Sequence, residues 1–270
     1  MENILKGFFN IEESNCDLCG LHKNCITPDM KVSGEGRKKI LIVGESSGKN
    51  DDSEGIQFVG ESGQLLESHL DELGYDIRKD FWIINSVNCK IPPNRKPTRK
   101  ELNYCRPKLI EVIKQKKPEF IWLLGSSAVE SFFMNRFSDL SISLWRKRLI
   151  PSIEYNCHII PLFHPSFILK NKDKNLEEVF HKDMQWALSC LKTKRPTRLN
   201  FEEHLEILFD SDRIVKRLNS ISKTVVAFDY ETNKISPHRN DIKIFSASVA
   251  YKDKDKNTIK SFAFPIDHTA

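Results

Sequence analysis

Residues 39–44, KILIVG, form an apolar run of the length of a buried β-strand, with Glu45 directly after it. Three similar runs follow it along the chain: FWIINS (81–86), EFIWLLG (119–125) and CHIIPLF (157–163). Four segments with the helical spacing of apolar residues lie between or after these runs. The first contains Leu66, Leu70 and Leu73, and the second begins at Pro97-Thr98 and contains Leu102, Leu109 and Val112. The third and fourth are residues 128–133 and 176–192. Strands that alternate with helices predict a mostly parallel sheet with helices on both faces.

Polar residues stand where these predicted strands end. Glu45 follows the first apolar run, Asn85 ends the second, Gly125 ends the third and His164 follows the fourth. In sheets of this kind, ligands bind at the carboxyl ends of the strands. The sequence therefore predicts a site at this edge, and three of its four positions carry groups that can hydrogen-bond to a base.

The bulk composition is that of a folded chain without a membrane span. The chain has 270 residues, of which 39% are apolar, and no window approaches 18 consecutive apolar residues. The N-terminal segment is acidic and lacks the layout of a signal peptide, so we expect a cytoplasmic protein.

The net charge of +5 is unevenly distributed. Residues 90–117 carry ten Lys or Arg and two Glu, which favours contact with a phosphate backbone. A solvated helix face is the alternative explanation of this segment.

Four of the seven cysteines form two pairs. Cys16 and Cys19 lie in CDLC, and Cys89 and Cys105 enclose fifteen residues of the basic segment. Four thiolates can bind one zinc ion or hold one iron–sulfur cluster, and the spacing alone does not separate the two. We expect the remaining thiols, at positions 25, 157 and 190, to pack in the fold or to be free.

Six motifs occur in an order that is typical of one enzyme family: CDLCGLHKNC (16–25), LIVGESSG (41–48), GIQFVGESGQLL (55–66), NSVNCKIPPNRKPTRKELNYC (85–105), LLGSSAVESFF (123–133) and FHPSFIL (163–169). Over about residues 14–192 the chain resembles the family 4 uracil-DNA glycosylases, which carry a four-iron four-sulfur cluster. The resemblance implies a three-layer αβα sandwich with a central four-stranded parallel sheet. It also implies hydrolysis of the bond between uracil and deoxyribose in single- or double-stranded DNA, in the service of DNA repair.

The resemblance assigns the residues of a base pocket. Phe58 matches the aromatic that stacks on the extruded base, and Asn85 matches the residue that reads the uracil edge. Ser46 follows Glu45 in the segment that normally forms the water and base pocket. His164 matches the residue near uracil O2, where a donor stabilises the anion as the bond breaks. Glu45 and Asp51 match the carboxylates that orient water or offset the sugar cation, with Asp52 as an alternative to Asp51.

The resemblance also assigns cluster ligands and DNA contacts. Cys16, Cys19, Cys89 and Cys105 match the cluster ligands, with zinc as the chemical alternative. The DNA-binding residues would be Arg95, Lys96, Arg99, Ser166 and Lys170. In the loop after HPS, the candidates for a wedge in the opened duplex are Phe167, Ile168 and Leu169.

Two motifs depart from the family pattern. The first motif usually reads GE, a small residue, then PG, whereas here Gly44-Glu45-Ser46-Ser47-Gly48 lacks the proline. The basic motif reads CKIPPNR where CRPPxNR is usual. A catalytically weak module that binds uracil or DNA is therefore the alternative function.

A second domain is predicted over residues 196–270, after a glycosylase domain over 1–195. The polar stretch KTKRPTRLN (192–200) is typical of a linker, and residues 201–221 have the spacing of a helix. VVAFDYETNKI (225–235) resembles the first motif of the DEDD 3′–5′ exonucleases found in family A DNA polymerases. This resemblance implies the start of a ribonuclease H-like domain, in which Asp229 and Glu231 are two of four carboxylates that hold divalent metals.

The 270 residues end at Ala270, before the other acidic residues that the exonuclease resemblance implies. We therefore expect no exonuclease activity from these 270 residues, and we expect the polypeptide to continue into an exonuclease and a polymerase. The chain is expected to be a monomer.

Overall fold

The computed structural model describes residues 16–134, 141–196, 205–221, 226–232, 244–252 and 259–266. The chain divides into two compact units, Met1–Thr197 and Arg198–Ala270. Most of the second half of the predicted linker, and the last residues of the exonuclease-like motif (233–235), lie outside the described residues. No helix in the described part is long and apolar enough to cross a membrane.

The first unit alternates strands and helices. It contains α1 (Cys16–Cys19), a 3₁₀ turn (Leu21–Asn24), β1 (Ile40–Ser47), α2 (Lys49–Glu54), α3 (Glu61–Glu72), α4 (Ile77–Asp80), β2 (Phe81–Lys90), α5 (Arg99–Lys116), β3 (Phe120–Leu124) and α6 (Ser126–Phe133). After these come α7 (Ile142–Trp145), β4 (Ile150–Ser152), β5 (Cys157–Leu162), α8 (Pro165–Asn171), α9 (Lys174–Ser189) and a second 3₁₀ turn (Cys190–Lys192).

The sheet of this unit has the order β2-β1-β3-β5-β4. The first four of these strands are parallel; Ile42 of β1, for example, stands opposite Ile83 on one side and Trp122 on the other. All four predicted strands are therefore present in a mainly parallel sheet. The prediction missed β4, a short edge strand antiparallel to β5, because three residues that include Pro151 leave no readable alternation.

Alternate residues of β1 fill two separate cores. Ile40 and Ile42 belong to a cluster with the buried faces of α3 and α9. Leu41 and Val43 belong to a second cluster with α5 and α6. Since neighbouring side chains of a strand point to opposite faces, the sheet is covered on both sides. Burial of each such side chain contributes about 1.5–3 kcal/mol to folding.

Helix α5 begins where its sequence predicts. Thr98 Oγ1 accepts a hydrogen bond from the amide of Glu101 (3.3 Å), and Glu101 Oε2 accepts one from the amide of Thr98 (2.8 Å). This reciprocal pair satisfies two amides that a helix start leaves without partners. The cap fixes where the basic loop between β2 and α5 ends, and so sets the position of Cys105 within the helix.

In its described residues, the second unit has a four-stranded sheet and one helix. It contains β6 (Leu205–Ile207), α10 (Ser211–Asn219), β7 (Val226–Thr232), β8 (Ile244–Lys252) and β9 (Ile259–Pro265), in the order β6-β9-β8-β7. Strand β6 is parallel to β9, and the other pairs are antiparallel.

The predicted continuous helix over residues 201–221 is wrong. Leu205–Ile207 pair with β9 as a strand, and the helix starts only after Asp210. The Asp210 carboxylate accepts a hydrogen bond from the amide of Arg213 (2.8 Å), so it caps a new helix. Leu208 joins a small core with Val249 and Phe262.

Candidate active site

A cleft of about 750 Å³ lies at the carboxyl ends of β1 and β2 and at the start of α8. Eight residues singled out from the sequence line it: Glu45, Ser46, Asp51, Phe58, Asn85, Arg95, His164 and Ser166. Lys96, Arg99 and Lys170, the other predicted DNA contacts, are not among the lining residues. The cleft therefore lies at the edge of the sheet that the strand-end rule selects. Glu45 and Asn85 lie inside strands, because β1 extends to Ser47 and β2 to Lys90.

The absence of a side chain at Gly44 lets two of the predicted uracil-binding side chains, Asn85 and Phe58, pack directly against the backbone of β1. A Cβ atom at this position would stand 2.4 Å from Asn85 Oδ1 and 2.9 Å from Phe58 Cζ. A Cβ at Gly63 would stand 1.9 Å from the carbonyl oxygen of Phe58. Only glycine at both positions leaves room for the Phe58 ring and the Asn85 amide as they are placed here.

Phe58 has an unusual backbone conformation, with φ of +57°. Arg78 Nη2 holds it by donating hydrogen bonds to the carbonyl oxygens of Gln57 (2.8 Å) and Phe58 (3.1 Å). A left-handed conformation is unfavourable for a bulky residue, so these bonds help to fix the ring in the cleft. The sequence analysis missed Arg78, because no local pattern links it to Phe58.

Asn85 carries a polar atom that the protein leaves without a partner. The residue is 2% exposed, and its Nδ2 makes no hydrogen bond to any described residue. An unsatisfied buried amide costs about 1–3 kcal/mol of stability. A group of this kind, facing a cleft, is suited to donate to a ligand.

The ring of His164 is held in one tautomer. Its Nδ1 accepts a hydrogen bond from the amide of Ser166 (3.2 Å) and lies 2.8 Å from Ser166 Oγ. Because an amide can only donate, Nδ1 is unprotonated and the neutral ring carries its proton on Nε2. Burial lowers the pKa of His164 to about 4, although the charge of Glu45 acts in the opposite direction. The ring is thus a neutral donor near pH 7, and its centroid lies 5.9 Å from that of Phe58.

Glu45 is oriented by a residue on another element. Ser127 Oγ, in the first turn of α6, donates a hydrogen bond of 2.6 Å to Glu45 Oε2. The carboxylate is half-buried in the cleft. Ser127 is itself buried, and its distance of 82 residues from Glu45 along the chain hides the contact from sequence analysis.

Asp51 and Asp52 face in different directions. Asp51 lines the cleft, and its carboxylate accepts hydrogen bonds from the amides of Gly48 (3.1 Å) and Val59 (2.9 Å). Asp52 is buried away from the cleft, where its carboxylate contacts Lys90 Nζ at 2.8 Å. Burial raises the pKa of Asp52, but Lys90 and two backbone amides outweigh this effect and lower it. Of the two candidates, Asp51 is the one at the cleft.

The four predicted ligand cysteines lie in one region of the fold. Cys89 and Cys105 are in a small apolar cluster against which Cys19 packs, and Cys16 is an electrostatic neighbour of Cys105. Burial raises the pKa of Cys89 to about 12 and that of Cys105 to about 11. Among the described residues, no three of these sulfurs lie within 4.8 Å of one another. The thiols are therefore spread more widely than around a single zinc, where ligand sulfurs stand about 3.8 Å apart.

The basic residues of the loop before α5 differ in their availability. Arg95 makes a two-pronged ion pair with the nearly buried Glu101 (2.8 and 2.7 Å). Lys96 Nζ contacts Ser126 Oγ at 3.3 Å, and Arg99 is exposed, 4.0 Å from Glu130. Arg95 is thus committed to the protein, while Lys96 and Arg99 are at the surface.

The loop after His164 offers one exposed aromatic residue. Phe167 is 42% exposed and packs on Phe163, and Lys170 is exposed in the last turn of α8. Ile168 is buried in the core, which excludes it as a wedge, and Leu169 is half-buried. Phe167 is the wedge candidate that the geometry favours.

Comparison with known proteins identifies a matching family. Residues 31–188 match the model of the uracil DNA glycosylase superfamily. The type-4 uracil-DNA glycosylase of Thermotoga maritima is 36% identical over 179 residues, which is 66% of this chain and 90% of the relative. The type-4 uracil-DNA glycosylase of Saccharolobus solfataricus is 33% identical over 69% of this chain and 85% of the relative. The type-4 enzyme of Pyrobaculum aerophilum is 45% identical over 41% of this chain and 56% of the relative.

Proposed function

This chain belongs to the type-4 uracil-DNA glycosylases, and from that membership we propose that the cleft beside Asn85 receives a uracil flipped out of DNA. The chain is an enzyme that removes uracil from DNA. The hydrolysed bond joins N1 of uracil to C1′ of deoxyribose. The base has to leave the helix first, because that bond cannot be reached inside a duplex.

The unpartnered Nδ2 of Asn85 is the observation that carries the proposal. An amide offers one donor and one acceptor, which match O4 and N3–H of uracil. Cytosine presents an amino group and a bare N3 at the same positions, so the same amide would oppose it donor to donor. The Phe58 ring would stack on the base, and the narrow space beside Gly44 would align base and amide.

His164 would act on the departing base without giving up a proton. As the bond breaks, negative charge develops on uracil, and Nε2–H of a neutral imidazole can donate a hydrogen bond to O2. The amide of Ser166 supports this assignment, since its bond to Nδ1 leaves the ring proton on Nε2. Ser46, which lines the same cleft, would contact the base from the β1 side.

The two acidic residues of the cleft would have different roles. Glu45, anchored through one oxygen by Ser127, has its other oxygen to orient water or to offset positive charge on the sugar. Asp51 would hold the loop around Gly48 against the segment that carries Phe58, since its oxygens accept backbone hydrogen bonds from both. We assign Asp51 to catalysis through this positioning and through its negative charge near His164.

A four-iron four-sulfur cluster would be held by Cys16, Cys19, Cys89 and Cys105. The wide spacing of the thiols supports a cluster over zinc. The amide of Asp29 also donates a hydrogen bond to Cys89 Sγ (3.4 Å), a contact that stabilises a ligating sulfur. When bound, the cluster supplies a structural brace for the basic loop between Cys89 and Cys105, whose residues 91–95 line the cleft.

The proposal is tested by uracil release from single- and double-stranded oligonucleotides, measured as abasic sites. Wild type should release uracil, and Asn85→Asp should reduce the rate by about 100-fold or more, because the new carboxylate replaces the donor to O4 by an acceptor. Glu178→Gln, an exposed change on α9, is the matched control and should retain the wild-type rate. Equal rates for wild type and Asn85→Asp would reject the pocket assignment.

The same oligonucleotides separate the enzyme from a catalytically weak binding module. Fluorescence anisotropy measures binding of wild type to uracil-containing and thymine-containing strands. Tight, uracil-dependent binding without abasic sites would favour the binding module.

For the second unit, we propose that Asp229 and Glu231 are two of the four carboxylates of an exonuclease-type metal site. These two residues alternate along β7, opposite Ser248 and Ser246 of β8, so they share one face of the sheet. Two carboxylates on one face can begin a divalent-metal site but do not complete it. Mn²⁺ should broaden the NMR signals of β7 in wild type and not in Asp229→Asn. Equal broadening would contradict the assignment.

The remaining parts of the proposal rest on the sequence. They are a monomeric, cytoplasmic protein and a glycosylase that acts together with an exonuclease and a polymerase. Such an arrangement would couple uracil removal to DNA synthesis.

A further inference from the structure

Helices α3 and α9 bring together a cluster of metal-ligating side chains outside the cleft. The cluster consists of His69 and Glu72 on α3 and His181 on α9, and one ligand atom of each lies within 4.8 Å of those of the others. Within the described residues, no other three His, Cys, Asp or Glu side chains meet in this way. We propose that these three residues bind a divalent transition-metal ion, with Zn²⁺ as the ion that best fits the donors.

The distances are close to those of a coordinated set. His69 Nδ1 and His181 Nδ1 stand 3.0 Å apart, and His181 Nδ1 stands 3.5 Å from Glu72 Oε2. Two nitrogens on one tetrahedral zinc are about 3.3 Å apart, since each Zn–N bond is about 2.0–2.1 Å. A small adjustment of side chains therefore admits the ion. Two imidazoles and one carboxylate are a ligand set that zinc uses in proteins, with water in the fourth position.

The second nitrogen of His69 has the surroundings that are usual for a metal-bound histidine. His69 Nε2 is buried without a hydrogen-bond partner among the described residues, and it lies 3.5 Å from Glu177 Oε1. A histidine that binds a metal through one nitrogen usually directs the other N–H to a carboxylate. Glu177 is placed to accept that bond and to orient the ring.

The spacing along the helices explains why these side chains meet. His69 and Glu72 are three residues apart on α3, and Glu177 and His181 are four apart on α9, so each pair lies on one face of its helix. The ring of Phe180 packs edge-on against His69 and closes the inner side of the cluster.

The proposed ion would cross-link two helices that lead to the cleft. Gly60 caps the start of helix α3, and Gly63 in its first turn lies against the backbone of Phe58. Helix α9 follows α8, which is capped by His164. Binding should therefore raise the melting temperature of the protein, because the three ligands come together only in the folded state. The proposal does not depend on uracil release, and neither of its tests measures that reaction.

The first test is calorimetric titration of Zn²⁺ into the cluster-loaded protein under anaerobic conditions. Wild type should bind one Zn²⁺ per chain and melt at a higher temperature with it. His181→Ala and Glu72→Gln should each weaken binding by at least about 10-fold. Both side chains are at the surface, so these variants should fold. Glu67→Gln, an exposed change on the same helix as Glu72, is the matched control and should bind as wild type does.

The second test identifies the ligands directly. Cu²⁺ bound to wild type should show the electron paramagnetic resonance pattern of two coordinated nitrogens, which His181→Ala should reduce. Absence of Zn²⁺ binding in wild type would overturn the proposal and leave a hydrogen-bonded pair of imidazoles. Binding that is equal in all variants, or that displaces iron from the cysteines, would also overturn it.

Discussion

Ser127 Oγ donates a hydrogen bond of 2.6 Å to Glu45 Oε2, and so ties the first turn of α6 to the end of β1. The bond restricts one oxygen of the carboxylate and leaves the other for the cleft. A short hydrogen bond to a carboxylate is among the stronger ones in proteins. We therefore expect Ser127 to act through Glu45, as a positioning residue.

Removal of this bond should slow uracil release moderately. In Ser127→Ala the charge of Glu45 remains but its orientation is less restricted, so the single-turnover rate should fall by about 5- to 10-fold. In Glu45→Gln the charge itself is lost, and the rate should fall by about 100-fold or more. DNA binding, measured by anisotropy, should change little in either variant.

Ser131→Ala is the matched control, since Ser131 is a buried serine on the same helix and does not line the cleft. It should retain the wild-type rate. A Ser127→Ala rate equal to wild type would exclude the positioning role, and one as low as that of Glu45→Gln would point to a direct role for the hydroxyl.

The rate of uracil release should not change near pH 6.5, where an ordinary histidine takes up a proton. Burial lowers the pKa of His164 to about 4, whereas histidine ordinarily titrates near 6.5. The ring should therefore stay neutral, and the single-turnover rate should stay level from pH 8 to about pH 5.5. A fall in the single-turnover rate that is centred near pH 6.5 in wild type and absent in His164→Asn would contradict a ring that stays neutral.

The same lowered pKa makes a prediction for stability. Between about pH 6.5 and pH 4 the unfolded chain binds a proton at residue 164 that the folded chain does not. The free energy of unfolding should therefore decrease as the pH falls through this range. His164→Asn should remove that part of the decrease, as measured by urea unfolding at several pH values. An unchanged slope would show that the pKa of His164 is not lowered on folding.

An added methyl group should block the base pocket at one glycine and not at another. In Gly44→Ala the Cβ atom would approach Asn85 Oδ1 to 2.4 Å and Phe58 Cζ to 2.9 Å, so the ring and the amide have to move. Uracil release should fall by about 100-fold or more. Gly60→Ala adds the same methyl group where the nearest atom is 3.8 Å away and φ is −80°, and its rate should stay within about 3-fold of wild type.

Circular dichroism should show that both alanine variants are folded. If Gly44→Ala released uracil as fast as Gly60→Ala, the space between β1, Phe58 and Asn85 would not be where the base binds.

The sheet and its functional edge could be predicted because they depend on local patterns. The four apolar runs are long enough to identify strands, and the strand-end rule then selects Asn85 and His164 without knowledge of the fold. The cap at Thr98 is visible in the sequence because its partner, Glu101, is three residues away.

Contacts between distant segments could not be predicted. Ser127 and Arg78 act on residues 82 and 20 positions away, and no periodicity links such positions. The choice between Asp51 and Asp52 also required the structure, because the two adjacent carboxylates point in different directions, Asp51 toward the cleft and Asp52 toward Lys90. The helix predicted over 201–221 was wrong for a similar reason, since the pairing of β6 with β9 overrides local spacing.

The four paired cysteines should be necessary for iron, and the others should not. Purified anaerobically, wild type should contain about four iron atoms per chain and absorb near about 400 nm. Cys105→Ser should lose both the iron and the absorbance and should melt at a lower temperature, because Cys105 is buried on the face of α5 that packs against β2. Cys190→Ser is the control and should keep the iron.

Cys25 provides a sharper version of this test, because it is an electrostatic neighbour of Cys89. Cys25→Ser should keep the iron if the ligands are the two pairs. Loss of iron in Cys25→Ser would show that Cys25 is a ligand and would contradict the assigned set of four cysteines. One zinc ion per wild-type chain, without absorbance at about 400 nm, would show a zinc site in place of the cluster.

DNA binding should depend on salt through the exposed basic residues. Each lysine that neutralises a phosphate contributes about 0.7–0.9 to the slope of log affinity against log salt concentration. Lys96→Ala and Lys170→Ala should each reduce the slope by about that amount, with a similar loss for all sequences. Lys182→Ala is the control, since this exposed lysine on α9 pairs with Glu178.

Arg95 should behave differently from these lysines, although it belongs to the same basic segment. Its guanidinium is bound to Glu101, and the ion pair is the main cause of the lowered pKa of that carboxyl group. Arg95→Ala leaves a nearly buried carboxylate without its partner, so the melting temperature should fall while the salt slope changes little. A salt slope that falls by about 0.7–0.9 with an unchanged melting temperature would instead place Arg95 on a phosphate in the complex.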